Sequence, residues 1–214
     1  DAGTLFRGGG LAARPLRRDE IPALQAFYDA NPEYFLTVNG RPPPADLAAI
    51  EFDEVPPAHL PYEKQWCLGL FAADETGDAP STGPLAGMAM VTTGLCAPDV
   101  WHIGLFIVAT KLHGSGVASG VYAALEDWVR REGASSLRLG VVIGNVRAER
   151  FWARQGYRPL RVREGVDTGG RVNTVRLMLK PLLPAAKSTD EEVARAIELY
   201  LERVPRDRPD SLLP

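Results

Sequence analysis

The stretch Lys111-Leu112-His113-Gly114-Ser115-Gly116-Val117-Ala118 lies between an apolar run, Trp101 to Val108, and a helical pattern that reaches Gly133. A strand, a glycine turn and a helix in that order make an anion site. The first turn of a helix leaves N–H groups without intrahelical acceptors and carries roughly half a positive charge, so glycines there let a phosphate rest on the backbone. The helix is read from Ala118, Val121, Tyr122, Leu125, Trp128 and Val129 on one face, with Glu126, Asp127, Arg130 and Arg131 opposite. A dinucleotide fingerprint is a poor match, because the turn lacks a third glycine and the next strand, Ser136 to Val142, runs into Ile143-Gly144-Asn145 rather than an acidic residue. A nucleoside-triphosphate loop is excluded, since no Lys follows Gly116.

Downstream, Asn145 can cap a short helix whose inner face is Ala148, Phe151 and Trp152, and Gly156 ends it before a strand from Tyr157. With these residues the chain resembles the GNAT superfamily of N-acetyltransferases. That family's acyl-CoA motif reads Q/R-x-x-G-x-G/A, followed by N-x-x-A-x-x-F/L-Y-x-x-x-G-F. His113, Gly116 and Ala118 occupy the first motif. Asn145, Ala148, Phe151, Trp152, Gly156 and Tyr157 occupy the second, and the resemblance covers about Leu85 to Lys180. Two residues depart from it. His113 stands where Gln or Arg is usual, and Trp152 where many members carry a tyrosine that protonates the leaving thiolate, a task an indole N–H cannot perform near neutrality.

The resemblance implies acetyl-CoA as cosubstrate, an amine as acceptor, and transfer of the acetyl group from thioester to nitrogen. It further implies a CoA site from Ile107, Val108 and Ala109, with an oxyanion donor among their amides, through His113, Gly114, Ser115, Gly116, Val117 and Ala118 to Asn145, Phe151 and Trp152. The attacking amine must be neutral, so a base is required. His102 is one candidate: it lies eleven residues before His113, where some relatives carry a catalytic glutamate, and an imidazole pKa of about 6.5 suits the task. Glu33 and Tyr34 are others, in the loop that borders the acceptor pocket in this fold. A catalytically silent acyl-CoA-binding or regulatory module is the alternative reading. The histidines and cysteines show no metal-ligand spacing.

Composition agrees. The chain has 214 residues, 45% hydrophobic and 24% charged, and no apolar stretch approaches the roughly 20 residues of a membrane span. Cys67 and Cys96 read as reduced, buried thiols, which fits a cytoplasmic protein. The net charge of −3 is unevenly spread: Asp19 to Asp78 holds 12 acidic and 2 basic residues, whereas Lys111 to Lys180 holds 13 basic and 6 acidic. The basic part suits a polyanion such as CoA and the acidic part a cationic amine. Nucleic acid is not expected, since the arginines are scattered without an aromatic ladder.

The elements that must position these residues are a strand Leu11 to Leu16, a helix Glu20 to Ala30 capped by Asp19, a turn-rich stretch through Pro44, and a short helix Ala45 to Phe52. Strands follow at Gln65 to Ala73, Leu85 to Thr93 and Val100 to Val108. Tyr157 to Val166 and Val172 to Leu179 flank a hairpin turn, and Ser188-Thr189-Asp190-Glu191 reads as a capping box for a helix to about Val204. The expected fold class is α/β, a GNAT-like mixed, mostly antiparallel sheet with helices on both faces. Residues 1–10 read as a flexible leader, 11–183 as the acetyltransferase-like domain and 184–214 as a C-terminal helical extension, in a monomer or homodimer.

Overall fold

A computed structural model describes residues 3–184 and 188–204. Its strands are β1 (Phe6–Gly8), β2 (Leu11–Pro15), β3 (Lys64–Ala72), β4 (Gly87–Thr93), β5 (Val100–Val108), β6 (Ser136–Val142), β7 (Arg158–Asp167) and β8 (Val172–Pro181). The helices are α1 (Ile21–Ala30), α2 (Glu33–Asn39), α3 (Leu47–Asp53), α4 (Val117–Arg131), α5 (Val146–Arg154) and α6 (Asp190–Arg203). The sheet has the order β1-β2-β3-β4-β5-β6-β8-β7 and is mostly antiparallel, with β5 and β6 parallel. The chain divides into two compact units: residues 3–55, 65–91 and 105–131 belong to the first, and the remaining described residues to the second.

In the first unit, residues 6–8 form a strand where a flexible leader was expected. Phe6 pairs with Ala13 and Gly8 with Leu11 across the two-residue loop Gly9-Gly10, whose φ angles of 61° and 78° are the positive pair that a type I′ hairpin turn demands. Phe6 is buried and stacks on Trp128 of α4 at 5.5 Å between centroids. The hairpin lies close on α4, since a Cβ on Gly120 would stand 2.8 Å from Gly9 Cα. A 3-10 turn, Arg18–Glu20, precedes α1, so the helix starts one residue later than Asp19 as a cap would place it. α2 occupies part of the stretch expected to be turns. Pro32 and Gly40 punctuate it: Pro32 is its N-cap, and Gly40, at φ 71°, closes it with its N–H on Leu36 O. Leu24, Phe27 and Tyr28 of α1, Phe35 of α2 and Ala48 of α3 make a core with Phe71, Met88, Met90, Ile107 and Ala109.

In the second unit, β5 runs parallel to β6 from Val100↔Ser136 to Ile103↔Leu139, and β6 pairs antiparallel with β8 along its whole length. α5 begins at the Asn145 cap. α6 begins at Thr189, where Thr189 Oγ1 accepts from the Glu192 N–H and the Glu192 carboxylate accepts from the Thr189 N–H. This capping box is one residue later than the sequence pattern indicates. Tyr200 and Val204 carry α6 into a core with Leu60, Leu95, Cys96, Val100 and Leu179.

Candidate active site

The first unit holds the glycine turn. Strand β5 ends with Ile107 and Val108; Ala109 follows, all three are buried, and a 3-10 turn, Thr110–Leu112, leads to His113. The Ala109 N–H donates to Ala86 O at 2.8 Å, toward β4. Backbone groups alternate sides along a strand, so the Val108 N–H and C=O point away from β4. His113 Nε2 lies 3.0 Å from that Val108 O, which makes this nitrogen the donor. Gly114 and Gly116 have φ of 77° and 85°, and a Cβ built on either meets nothing within 4 Å. The turn is therefore open on the side where side chains would stand, directly before a 15-residue helix whose first-turn amides have no intrahelical acceptors. Ser115 Oγ donates to Leu112 O and lies 3.4 Å from the Val117 N–H, which stiffens the turn. Open space beside glycine backbone at a helix N-terminus fits a phosphate group, as the expected CoA would require.

The loop between α1 and α2 is tied to this turn. Asn31 Oδ1 accepts from the Thr110 N–H at 2.8 Å, and the Thr110 hydroxyl donates to Glu33 Oε2 at 2.6 Å. Glu33 is solvent-exposed, whereas Tyr34 is half-buried against Phe35. One further carboxyl stands near Tyr34 and was not singled out from sequence. Glu51, on α3, accepts a 2.5 Å hydrogen bond from the hydroxyl of the buried Tyr28. Burial pushes its pKa up to about 7, against the lowering effect of that hydrogen bond. A signal was present: Glu51 falls three residues after Ala48, on the helix face that turns inward.

The second unit holds the other sequence candidates. His102 lies in β5 with 7% of its surface exposed, in register with Arg138 of β6, itself 1% exposed. Asn145 caps α5, its Oδ1 accepting from the Ala148 N–H at 3.3 Å. Trp152 is buried, edge-on between Phe151 at 4.9 Å and Tyr157 at 5.3 Å. Neither cysteine is in a disulfide. Among the described residues no group of three or more His, Cys, Asp or Glu could hold a metal ion, and no helix is long and apolar enough to cross a membrane.

The family model "Acetyltransferase (GNAT) family" matches residues 24–157. An acetyltransferase from Thermus thermophilus is similar in structure, with a TM-score of 0.59 and 19% identity, over 80% of this chain and 97% of that one. The spermidine N-acetyltransferase of Vibrio cholerae, solved with CoA and spermine, has a TM-score of 0.58 at 14% identity, covering 80% and 95% of the two chains. A probable acetyltransferase from Chromobacterium violaceum has a TM-score of 0.64 at 12% identity, over 84% and 86%. No curated protein matches by sequence.

Proposed function

The chain belongs to the acetyltransferase (GNAT) family and is an N-acetyltransferase, and from that premise we propose that it transfers the acetyl group of acetyl-CoA to a primary amine of a small-molecule acceptor. The observation that carries this reading is the open turn from His113 to Ala118 at the head of α4, where the Gly114 and Gly116 backbones leave room for the pyrophosphate. In this reading Ile107, Val108 and Ala109 run beside the acyl-bearing arm. The Val108 N–H, pointing away from β4, donates to the thioester oxygen as negative charge builds on it. His113 keeps the Val108 carbonyl engaged, which holds the peptide planes at this end of β5 in place.

Asn145 at the head of α5 and the rings of Phe151 and Trp152, in the second unit, are assigned to CoA by the family resemblance. Trp152 supplies packing, not acid. The nitrogen attacks the acetyl carbon, the C–N bond forms, and the C–S bond breaks. The leaving thiolate, with a thiol pKa of about 8.5, departs without an enzymic proton donor. The acceptor nitrogen must first lose a proton. Of the residues that sequence offers for this, His102 is interior beside Arg138, Glu33 is exposed and held by Thr110, and Tyr34 is half-buried beside Phe35. The acidic balance of residues 19–78 suits a cationic acceptor. The two thiols suit a reducing cytoplasm.

Two measurements test the reading: release of thiol from acetyl-CoA across a panel of primary amines, and a direct titration of CoA. Turnover together with micromolar or tighter CoA binding is expected. Absence of CoA binding by the folded protein overturns the proposal.

A further inference from the structure

In the first unit, α1, α2 and β3 bring Tyr28, Tyr34 and Cys67 to one carboxyl group on α3. Glu51 accepts from the Tyr28 hydroxyl at 2.5 Å. Tyr28 meets Phe35 edge-on at 5.1 Å, and Phe35 meets Tyr34 edge-on at 5.2 Å. Tyr34, Leu47, Phe52 and Cys67 are half-buried and pack on the same core as Tyr28, so Glu51 is set in a mostly apolar wall. Ile50, its neighbour on α3, is 54% exposed, and Leu36 on α2 is 44% exposed. A single neutral hydroxyl does not compensate a carboxylate for lost water, and an apolar residue in its place would stabilise the fold better. An arriving ammonium would supply the missing partner, and aromatic faces next to a carboxylate are themselves favourable to a cation.

We infer that Glu51 receives the acceptor's ammonium group and takes its proton, and that the acceptor is a primary amine carried on an apolar, aromatic-sized body. This rests on the acetyltransferase reading above and deepens it.

The titratable groups facing Glu51 are Tyr28 from α1, Tyr34 from α2, Cys67 from β3 and Glu54 from its own helix. None is cationic. Burial raises both tyrosines above their ordinary range and the Cys67 thiol up to about 12, so all three stay protonated while Glu51, at about 7, changes charge near neutrality. Arg18, over the Phe52 ring at 5.4 Å, is engaged by Asp53. In the step itself, R–NH3⁺ gives one proton to the Glu51 carboxylate and becomes R–NH2. The nitrogen then bonds to the acetyl carbon as the C–S bond breaks, and its second proton ends on the thiolate. Glu51 returns its proton to water before the next cycle, so the products are R–NH–acetyl, CoA thiol and one H⁺.

The test uses the full chain, acetyl-CoA, and 2-phenylethylamine against ethanolamine as acceptor probes. The wild type should show kcat/KM at least about tenfold higher for 2-phenylethylamine, the scale of burying part of a ring. Its acidic limb should have a midpoint near pH 7. Glu51→Gln should lose roughly 100-fold in kcat/KM at pH 7, lack that limb, bind CoA unchanged, and recover part of the loss at pH 9.5, where the amine begins to deprotonate unaided. Tyr28→Phe removes the hydrogen bond that holds the Glu51 pKa down, so its limb should move to higher pH, a shift that damage to packing would not produce.

The base assignment is overturned if Glu51→Gln keeps the limb, if the Tyr28→Phe limb stays in place, or if the limb vanishes in His102→Ala instead. Equal or better turnover of ethanolamine overturns the acceptor class. CoA binding without turnover of either amine overturns the whole inference and leaves the CoA site standing. Failure to bind CoA instead removes the acetyltransferase reading beneath it.

Discussion

Gly116 carries two separable demands, backbone conformation and open space. At φ 85° any side chain is strained by about 1–2 kcal/mol, while the region a Cβ would enter is empty. Gly116→Ala should therefore lower the melting temperature a little and change CoA affinity only a few-fold. Gly116→Glu adds a negative charge to the same strain and should weaken CoA binding by roughly 100-fold or more, on the scale of opposed charges at a phosphate site. Isothermal titration of CoA against both variants, each checked by thermal melting, separates strain from charge. Equal affinities in the two variants would detach the phosphate from this turn. Glu51 makes a second prediction, about stability. Its folded pKa of about 7 lies above its ordinary 4.5, so between those values the folded chain holds a proton that the unfolded chain has lost. That part of the stability is present below pH 4.5 and falls as pH rises through 7. Glu51→Gln should match the wild type near pH 4 and exceed it at pH 8 by on the order of 1 kcal/mol, read from denaturant melts at the two pH values. Greater stability with lower activity would mark a group kept for chemistry.

At the scale of elements, the β1–β2 hairpin on α4 depends on small residues on both sides. A Cβ on Gly8 would stand 2.4 Å from Gly120 O and 2.7 Å from Ala124 Cβ, and one on Gly120 would stand 2.8 Å from Gly9 Cα and 3.0 Å from Gly9 N. The opposing atoms are mostly backbone and cannot swing aside. Alanine at 120 would gain about 1 kcal/mol of helix propensity, but overpacking costs typically 1–3 kcal/mol, so Gly120→Ala should be net destabilising. Differential scanning calorimetry should show a fall of a few degrees, and an unchanged or higher midpoint would mean that the hairpin yields. The reading of residues 1–10 as leader came from the same glycines. Gly8-Gly9-Gly10 looks like slack chain in sequence, and only the proximity of α4 shows why no larger residue fits at two of the three positions. α2 has a similar explanation: Asn31-Pro32 and Asn39-Gly40 are turn formers, yet here they bracket a helix of seven residues whose Phe35 and Val38 face the core.

Along the whole chain, charge is segregated far beyond what a net −3 suggests, with a balance of −10 over residues 19–78 and +7 over 111–180. Fields of this kind change encounter rates and local concentrations, and they are screened over about 10 Å at 0.1 M salt. Raising NaCl from 50 to 500 mM should therefore raise KM for both acetyl-CoA and a cationic amine several-fold while leaving kcat nearly constant. Salt-independent KM values would reduce the segregation to solvated surface. The mixed, mostly antiparallel sheet is of the expected class, and a solved acetyltransferase is similar to it in structure.

What the sequence determined by itself was a set of local features. The glycines of the turn, the apolar stripe of α4, the Asn145 cap and the hairpin after Asp167 each follow from backbone rules acting within a few residues, and together they identified the family. Tertiary structure decided what depends on distance in space. His102 is as suitable a base on paper as any residue, and its burial in β5 beside Arg138 comes from strand register. Glu51 is an ordinary acid on a short helix until α1 brings the Tyr28 hydroxyl to it across 23 positions of sequence. A side chain's proton affinity is set by the water it loses and the groups it meets, and neither is written in its neighbours along the chain.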